Sequence, residues 1–365
     1  MDKPIETLRT NLLEHPAVQA WSTLEPERVE PKSIVVIKHW KPNKLFGTYK
    51  SGVYLLEGVG HGGTGVIAKR CPLHTAAVER FIYQEFLPHV PLPMLRHYGS
   101  VQESDGGSWW LFMEEATGEL YSPHNPEHRV LAAQWLAAVN RAGCDPRFKQ
   151  NLPARGPDHY LQLLRRCRAK VREHLDNPKL PAEGPSVLPA VLAQCDVVET
   201  HWTELETICL HAPWTIAHGD FVIKNLRVRA GAHGPELLVY DWEYAGWGVS
   251  NIDLAQYISR TASPDLAVYR SAVEPWTALG DDAHVLRFAT CGGIFRLLEA
   301  MHWASLGLAH ARTSYLAEPV SELRSYSRRL PQLLHEMGWF TTPDPSTAPR
   351  SASVRADPSV TGTVS

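Results

Sequence analysis

The sequence predicts an α+β chain in which a sheet-rich part comes first and a larger helical part follows. Three observations carry this expectation. Residues 33–117 hold short β-patterned runs separated by glycine-bearing turns, whereas from residue 127 onward apolar residues recur at helical spacing. The third is the stretch 214–254. There two short apolar runs, WTIA and ELLVY, lead into polar residues: His218-Gly219-Asp220 with Asn225 after the first, Asp241-Trp242-Glu243 after the second. A turn-rich GAHG lies between them, so the stretch reads as short strands presenting polar side chains at their ends.

At 365 residues the chain is long enough for two domains or two lobes with ample core. A net charge of -3 gives no global reason to expect nucleic acid or an anionic membrane as partner. The six cysteines, at 71, 144, 167, 195, 209 and 291, form no C-x-x-C pair; that fits reduced thiols in a cytoplasm better than a disulfide framework or a zinc site. The N-terminal MDKPIETLRTNLLEHP lacks the apolar run of a signal peptide, and no stretch is apolar enough to span a bilayer.

Taken in order, residues 4–22 read as an amphipathic helix, with Ile5, Leu8, Leu12 and Leu13 at helical spacing and His15-Pro16 interrupting it. Residues 1–30 are thus expected to be a helical extension with a packing role. Three antiparallel strands follow in SIVVIKHWK, SGVYLLEGV and TGVIAKRC, the last two joined through GHGG at 60–63. The loop PNKLFGTYKSG, with Gly47, Thr48, Ser51 and Gly52, is either a flexible cover for phosphates or a plain hairpin connection. Lys69 ends the third strand in VIAK, and LHTAAVERFIYQEFL (73–87) is helical in pattern, carrying Glu79 and Glu85. A second hairpin over 90–118 ends in Met113-Glu114-Glu115-Ala116. Helices are expected over 127–143, 157–175 and 185–210, then through most of 264–338. The basic run RRCRAKVR on the second of these reads as a solvated face. The tail 341–365, rich in Pro, Ser and Thr, is expected to be disordered.

The chemistry suggested by 214–254 is phosphoryl transfer. Such a site needs a carboxylate to orient the attacking hydroxyl and hard oxygen ligands for a metal that bridges phosphates. Asp220 suits the first role. Asn225 and Asp241 offer the oxygens that suit Mg2+, and His218 would brace the loop from within.

H-G-D-x-x-x-x-N followed by D-W-E resembles the aminoglycoside phosphotransferase and choline kinase superfamily, small-molecule kinases with a protein-kinase-like fold. The resemblance implies a bilobal α+β fold. Residues 31–117 would form a nucleotide-binding small lobe of antiparallel sheet plus helix, and residues 118–340 a catalytic, acceptor-binding helical lobe. ATP or GTP would bind between them with Mg2+. Lys69 would hold the phosphates, paired with Glu79, or with Glu85 if the helix register differs. Ser51 would lie in the phosphate-covering loop. Met113 would sit beside the purine, whose edge would bond the Glu114 carbonyl and the Ala116 N–H. Asp253 in IDLA resembles the structural aspartate that braces the catalytic loop, and the late helices, with Glu299, His302 and Trp303, would cover the acceptor or simply pack.

The implied activity is transfer of a γ-phosphoryl group to a hydroxyl of a small polar acceptor, most readily an antibiotic. A choline-like acceptor, held by the tryptophans near D-W-E, is the subordinate reading, and a nucleotide-binding pseudokinase is the non-catalytic one. A protein substrate is disfavoured, because Val222 stands where a lysine is usual and no A-P-E segment follows Asp241. No obligate protein partner is expected.

Overall fold

The structure, a computed structural model, describes residues 5–339 apart from 28, 44–47, 211, 259 and 311. The tail expected to be disordered and the centre of the PNKLFGTYKSG loop lie outside the described residues. Six antiparallel strands make the first layer: β1 (Glu6–Leu8), β2 (Ile34–Lys38), β5 (Gly52–Leu56), β6 (Val66–Pro72), β8 (Ser108–Glu114) and β7 (His97–Gln102), in that spatial order. The short pair β3 (Lys41–Asn43) and β4 (Thr48–Lys50) extends from the connection between β2 and β5.

Strand alternation divides β6 by function. Val66 and Ala68 face a cluster with Trp21, Ile34 and Phe112, while Ile67 and Lys69 face the opposite side. On that opposite side runs α2 (Leu73–Phe81), prolonged by a π-helical turn at Ile82–Phe86.

The N-terminal segment differs from its periodicity. Glu6–Leu8 pair with Val36–Ile34 as an edge strand, Asn11 at φ 54 breaks the chain, and the helical parts are a 3-10 turn at Leu12–Glu14 and α1 (Pro16–Ser22). The apolar residues were shared between two elements: Leu8 and Leu12 rest on the Trp21 cluster, while Ile5 and Leu13 stay exposed. Sheet pairing therefore overrode a short helical pattern. Full burial of Trp21 is worth about 2–3 kcal/mol and holds this segment to the sheet.

The second part is helical: α3 (Pro126–Gly143), α4 (Pro157–Glu173), α5 (Gly184–Thr200), α6 (Trp202–Leu210), α7 (Leu266–Val273), α8 (Asp282–Leu306) and α9 (Ala317–Glu336). The single helix expected over 185–210 is two, parted at His201, whose φ of -100 and ψ of 17 leave the helical region. Helix α8 is buried nearly all round and forms the axis of this part. Its Gly292 lets it approach the segment 250–254, since a Cβ there would lie 1.8 Å from the Asn251 carbonyl oxygen.

Two small sheets sit where the layers meet. One holds β9 (Glu119–Leu120), β12 (Leu226–Gly231) and β13 (Gly234–Val239); the other holds β10 (Ala154–Arg155), β14 (Gly246–Gly248) and β11 (Thr215–Ala217). GAHG turns the β12–β13 hairpin as its composition predicts. All six cysteines are free, and among the described residues no helix is long and apolar enough to cross a membrane.

Candidate active site

The loop after β11 is fixed by buried polar contacts. Asp253 accepts the N–H of His218 at 2.7 Å and of Gly219 at 3.0 Å. The His218 ring accepts the Asp220 N–H on Nδ1 at 3.2 Å and donates from Nε2 to the Tyr240 carbonyl at 3.2 Å. Both bonds require a neutral imidazole, and burial lowers its pKa to about 4. His218 thus ties the 218–225 loop to the strand that carries Asp241. Burial raises Asp253 to about 7 against the pull of its two backbone donors. Gly219 has φ 77, and a Cβ on it would meet the Tyr244 carbonyl oxygen at 2.3 Å, so no other residue fits.

Lys69 is the centre of the cleft between the sheet and the helical part. Its Nζ lies 2.9 Å from Glu79, 2.5 Å from Asp241 and 3.7 Å from Glu243. Glu79 is the partner on α2, while Glu85 is exposed, which settles the helix register. Burial alone would lower the lysine pKa, but Asp241, then Glu79 and Glu243, outweigh it and hold Lys69 well above its ordinary value. Burial lifts Glu79 to about 7. Asp241 goes the other way: Lys69 outweighs burial and draws its carboxyl down to about 2. Its backbone adopts a left-handed φ of 68, a strained setting of the kind that gathers at functional sites.

Asp220 stands across the loop with both oxygens engaged. Oδ1 accepts from Arg296 Nη2 at 2.9 Å; Oδ2 accepts from Asn225 Nδ2 at 3.0 Å and from Lys224 Nζ at 3.1 Å. Burial works to raise its pKa, but Arg296 and then Lys224 outweigh it and leave the carboxyl below its ordinary value. Neither cation was found from the sequence. Arg296 comes from α8, far along the chain. Lys224 had a readable signal: it follows Asp220 by four residues and supplies a positive charge that Val222 does not.

Two cavities meet here. One, of about 370 Å³, is walled by Lys69, Glu79, Met113, Glu114, Ala116, Asn225 and Asp241, so seven of the nine residues singled out from the sequence share it. The other, of about 340 Å³, holds Asp220 together with Tyr244, Arg296, Glu299 and Trp303. Lys224 and Arg260 wall both. Ser51 does not reach either. The chain turns between β4 and β5 there, and Ser51 is buried, 4% exposed. The Ala116 N–H meets no protein acceptor among the described residues, which leaves it available to a purine edge. Trp242 is fully buried against His218 and Trp247 is 5% exposed, so neither forms a cage for a cationic headgroup.

The donor set fits Mg2+. Three carboxylates, Glu79, Asp241 and Glu243, stand within 3.7 Å of Lys69, so hard oxygen atoms gather at this end of the cleft. Asn225 commits its Nδ2 to Asp220, which would leave Oδ1 for a metal, and Lys69 takes only Oδ1 of Asp241. Among the described residues no group of three His, Cys, Asp or Glu could hold a metal by itself. A cation that keeps waters and leans on phosphates needs none.

An antiparallel sheet and a helical body with a charged cleft between them define a kinase-like phosphotransferase. A family model described as the phosphotransferase enzyme family matches residues 50–286, and the chain belongs to that family. No curated protein sequence matches the chain significantly. Among solved structures it is similar to the GDP complex of aminoglycoside 2'-phosphotransferase-IIIa, with a TM-score of 0.57 and 12% identity over 87% of this chain and 99% of that one. A spectinomycin phosphotransferase in complex with ADP and spectinomycin gives 0.53 and 9% over 87% and 99%. A choline kinase from Cryptosporidium parvum Iowa II gives 0.51 and 11% over 84% and 91%. At such identities the likeness concerns the fold.

Proposed function

We propose that this small-molecule phosphotransferase moves the γ-phosphoryl group of ATP or GTP to a hydroxyl of a small polar acceptor. The observation that carries the reading is the pairing of the two cavities. Lys69, Glu79 and Asp241 wall one, Asp220 walls the other, and the Asn225–Asp220 bond joins them.

In this reading the purine lies along Met113 with its edge on the main chain of Glu114 and Ala116. Lys69, oriented by Glu79, holds the phosphates. Asn225 and Asp241 hold Mg2+, which when bound offsets charge on the phosphates. Asp220 orients the acceptor hydroxyl and takes its proton, and Arg296 and Lys224 keep that carboxylate ionised. Most of the rate then comes from positioning and fixed charge. Residues 31–117 serve as the nucleotide-binding small lobe and residues 118–340 as the catalytic, acceptor-binding lobe, which also lends Asn225 and Asp241 to the cleft. An antibiotic acceptor, and action in the cytoplasm, follow from the family resemblance.

The test is incubation with Mg2+ and either ATP or GTP against antibiotics, choline, sugars and hydroxy acids, read by mass spectrometry with Asp220→Asn alongside. A phosphorylated product absent from the variant supports the reading. Nucleotide binding without any product leaves a binding protein.

A further inference from the structure

This inference rests on Asp220 as the residue that receives the acceptor hydroxyl, and concerns the charge of that acceptor. The cavity around Asp220 has five charged wall residues: Asp220, Glu299, Lys224, Arg260 and Arg296. Both carboxylates are already met by protein cations. Asp220 is bonded by Arg296 at 2.9 Å and Lys224 at 3.1 Å. Glu299 is bonded at 2.5 Å by Arg155, a buried residue on β10 that is not part of the wall. The cations are less fully matched. Arg260 has no carboxylate partner among the described residues, and the buried Nε of Arg296 has no acceptor. Tyr244, Trp303 and Tyr326 supply aromatic surface beside them.

A polyamine or quaternary ammonium acceptor would therefore find no unengaged carboxylate, and would bring its charge against three cations. We propose that the acceptor carries an anionic group, a carboxylate or a phosphate, near the hydroxyl that is phosphorylated, and that Arg260 receives it with Arg296 beside it. The guanidinium fork suits either group, because both present paired oxygens. The main chain of Arg260 is fixed, while its side chain is exposed. Its backbone sits at φ 61, its carbonyl accepts the Ile223 N–H at 3.0 Å, and the next residue, Thr261, bridges to Val222. The arginine is thus fastened to the catalytic loop.

Four probes on one pyranose ring test the charge alone: glucosamine, glucose, glucuronate and glucose 6-phosphate. Each is titrated calorimetrically into the protein saturated with Mg2+ and ADP, so that the nucleotide cleft is filled. We expect at least one anion to bind about tenfold more tightly than glucose, with glucosamine no tighter than glucose. The better of the two anions tells carboxylate from phosphate. Arg260→Gln should abolish the preference and Arg260→Lys should keep part of it. Arg260→Asn, which tolerates a positive φ, guards against a misfolded glutamine variant, and circular dichroism checks both.

Equal binding of all four, glucosamine as the tightest, or no anion bound at all overturns the inference. A preference that survives in Arg260→Gln and Arg260→Asn overturns the role of Arg260. Turnover with ATP or GTP is measured on the same probes and on kanamycin and choline. A cationic acceptor with the highest kcat/KM sinks the inference and leaves the kinase reading standing. An anion preference with no product from any acceptor sinks the kinase reading instead.

Discussion

The nucleotide cleft and the acceptor cavity share the walls of Lys224 and Arg260, and each is arranged around a different charge: a lysine, Lys69, in the cleft and a carboxylate, Asp220, in the cavity. In the cleft one lysine faces three carboxylates, Glu79, Asp241 and Glu243. In the cavity three cations face two carboxylates, both already paired. In the proposed function the cleft would take a metal on phosphates, and in the further proposal the cavity would take an acceptor that is not a cation. What separates them is also how they are built. The cleft depends on strand alternation in β6, the last turn of α2 and the 218–225 loop, brought together across 172 residues at the Lys69–Asp241 contact. The cavity is closed by α8 and α9, brought in from the far end of the chain.

The largest expected effect lies on the boundary. Asp220→Asn should lower kcat by about a thousandfold while nucleotide affinity stays within about threefold, read by steady-state kinetics and nucleotide titration. Retention of turnover within about tenfold would move the general base elsewhere. Next comes the cleft alone. Lys69→Met leaves Glu79 buried with no cation and Asp241 beside it, so denaturant unfolding should show a loss of about 3–5 kcal/mol. An unchanged midpoint would mean that the three carboxylates are far less buried than they stand here.

Third is the brace beneath both regions. His218 is wholly buried, and its pKa falls to about 4. Between about pH 4 and 6.5 the unfolded chain therefore binds a proton that the folded chain does not, and stability is lost as pH falls through that window. Relative to His218→Gln, the wild type should lose up to about 3 kcal/mol from pH 6.5 to pH 4. Asp253 acts with the opposite sign. Burial raises it to about 7, so its contribution is present at low pH and is lost as pH rises towards that value. The difference between the two proteins, measured by urea unfolding at each pH, reads His218. A gap that does not change with pH would mean the imidazole is protonated in the folded chain.

The same contrast explains what the sequence revealed. Lys69, Asn225 and Asp241 were legible as candidates through motifs near strand ends, VIAK, H-G-D-x-x-x-x-N and D-W-E, and the structure brings all three into one cleft. Glu79 was legible as one of two glutamates, and only packing on β6 chose between them. Arg296 was not legible, because a cation in the middle of a long helix reads as solvated until the loop it meets is in place. Ser51 stands apart: a hydroxyl in a glycine-flanked loop suggests either phosphates or a plain hairpin connection, and in the structure it is buried and lines neither cavity. Glu299, His302 and Trp303 were read as acceptor cover or as helix packing; Glu299 and Trp303 line the cavity that holds Asp220, and His302 does not. At the N-terminus the error was one of period, since a three-residue edge strand is too short to show its alternation.

The smallest prediction sets an ion pair outside both cavities against one that supports the acceptor wall. Arg165, in the basic run of α4, bonds Glu199 at 2.7 Å with 59% of its side chain exposed. Arg155 bonds Glu299 at 2.5 Å with 8% exposed. The chemical groups are the same, so any difference in their worth is a difference of solvent. In water the attraction is screened and two long side chains lose freedom, so Arg165→Ala should change stability by less than about 0.5 kcal/mol and leave turnover unaltered. In the wall, removing one partner strands a charge away from water, and Glu299→Gln should cost several times more. A double-mutant cycle for each pair makes the comparison. Equal coupling energies would mean that the acceptor wall is wet, and that an unmatched arginine there exerts no more pull on an anion than any surface arginine.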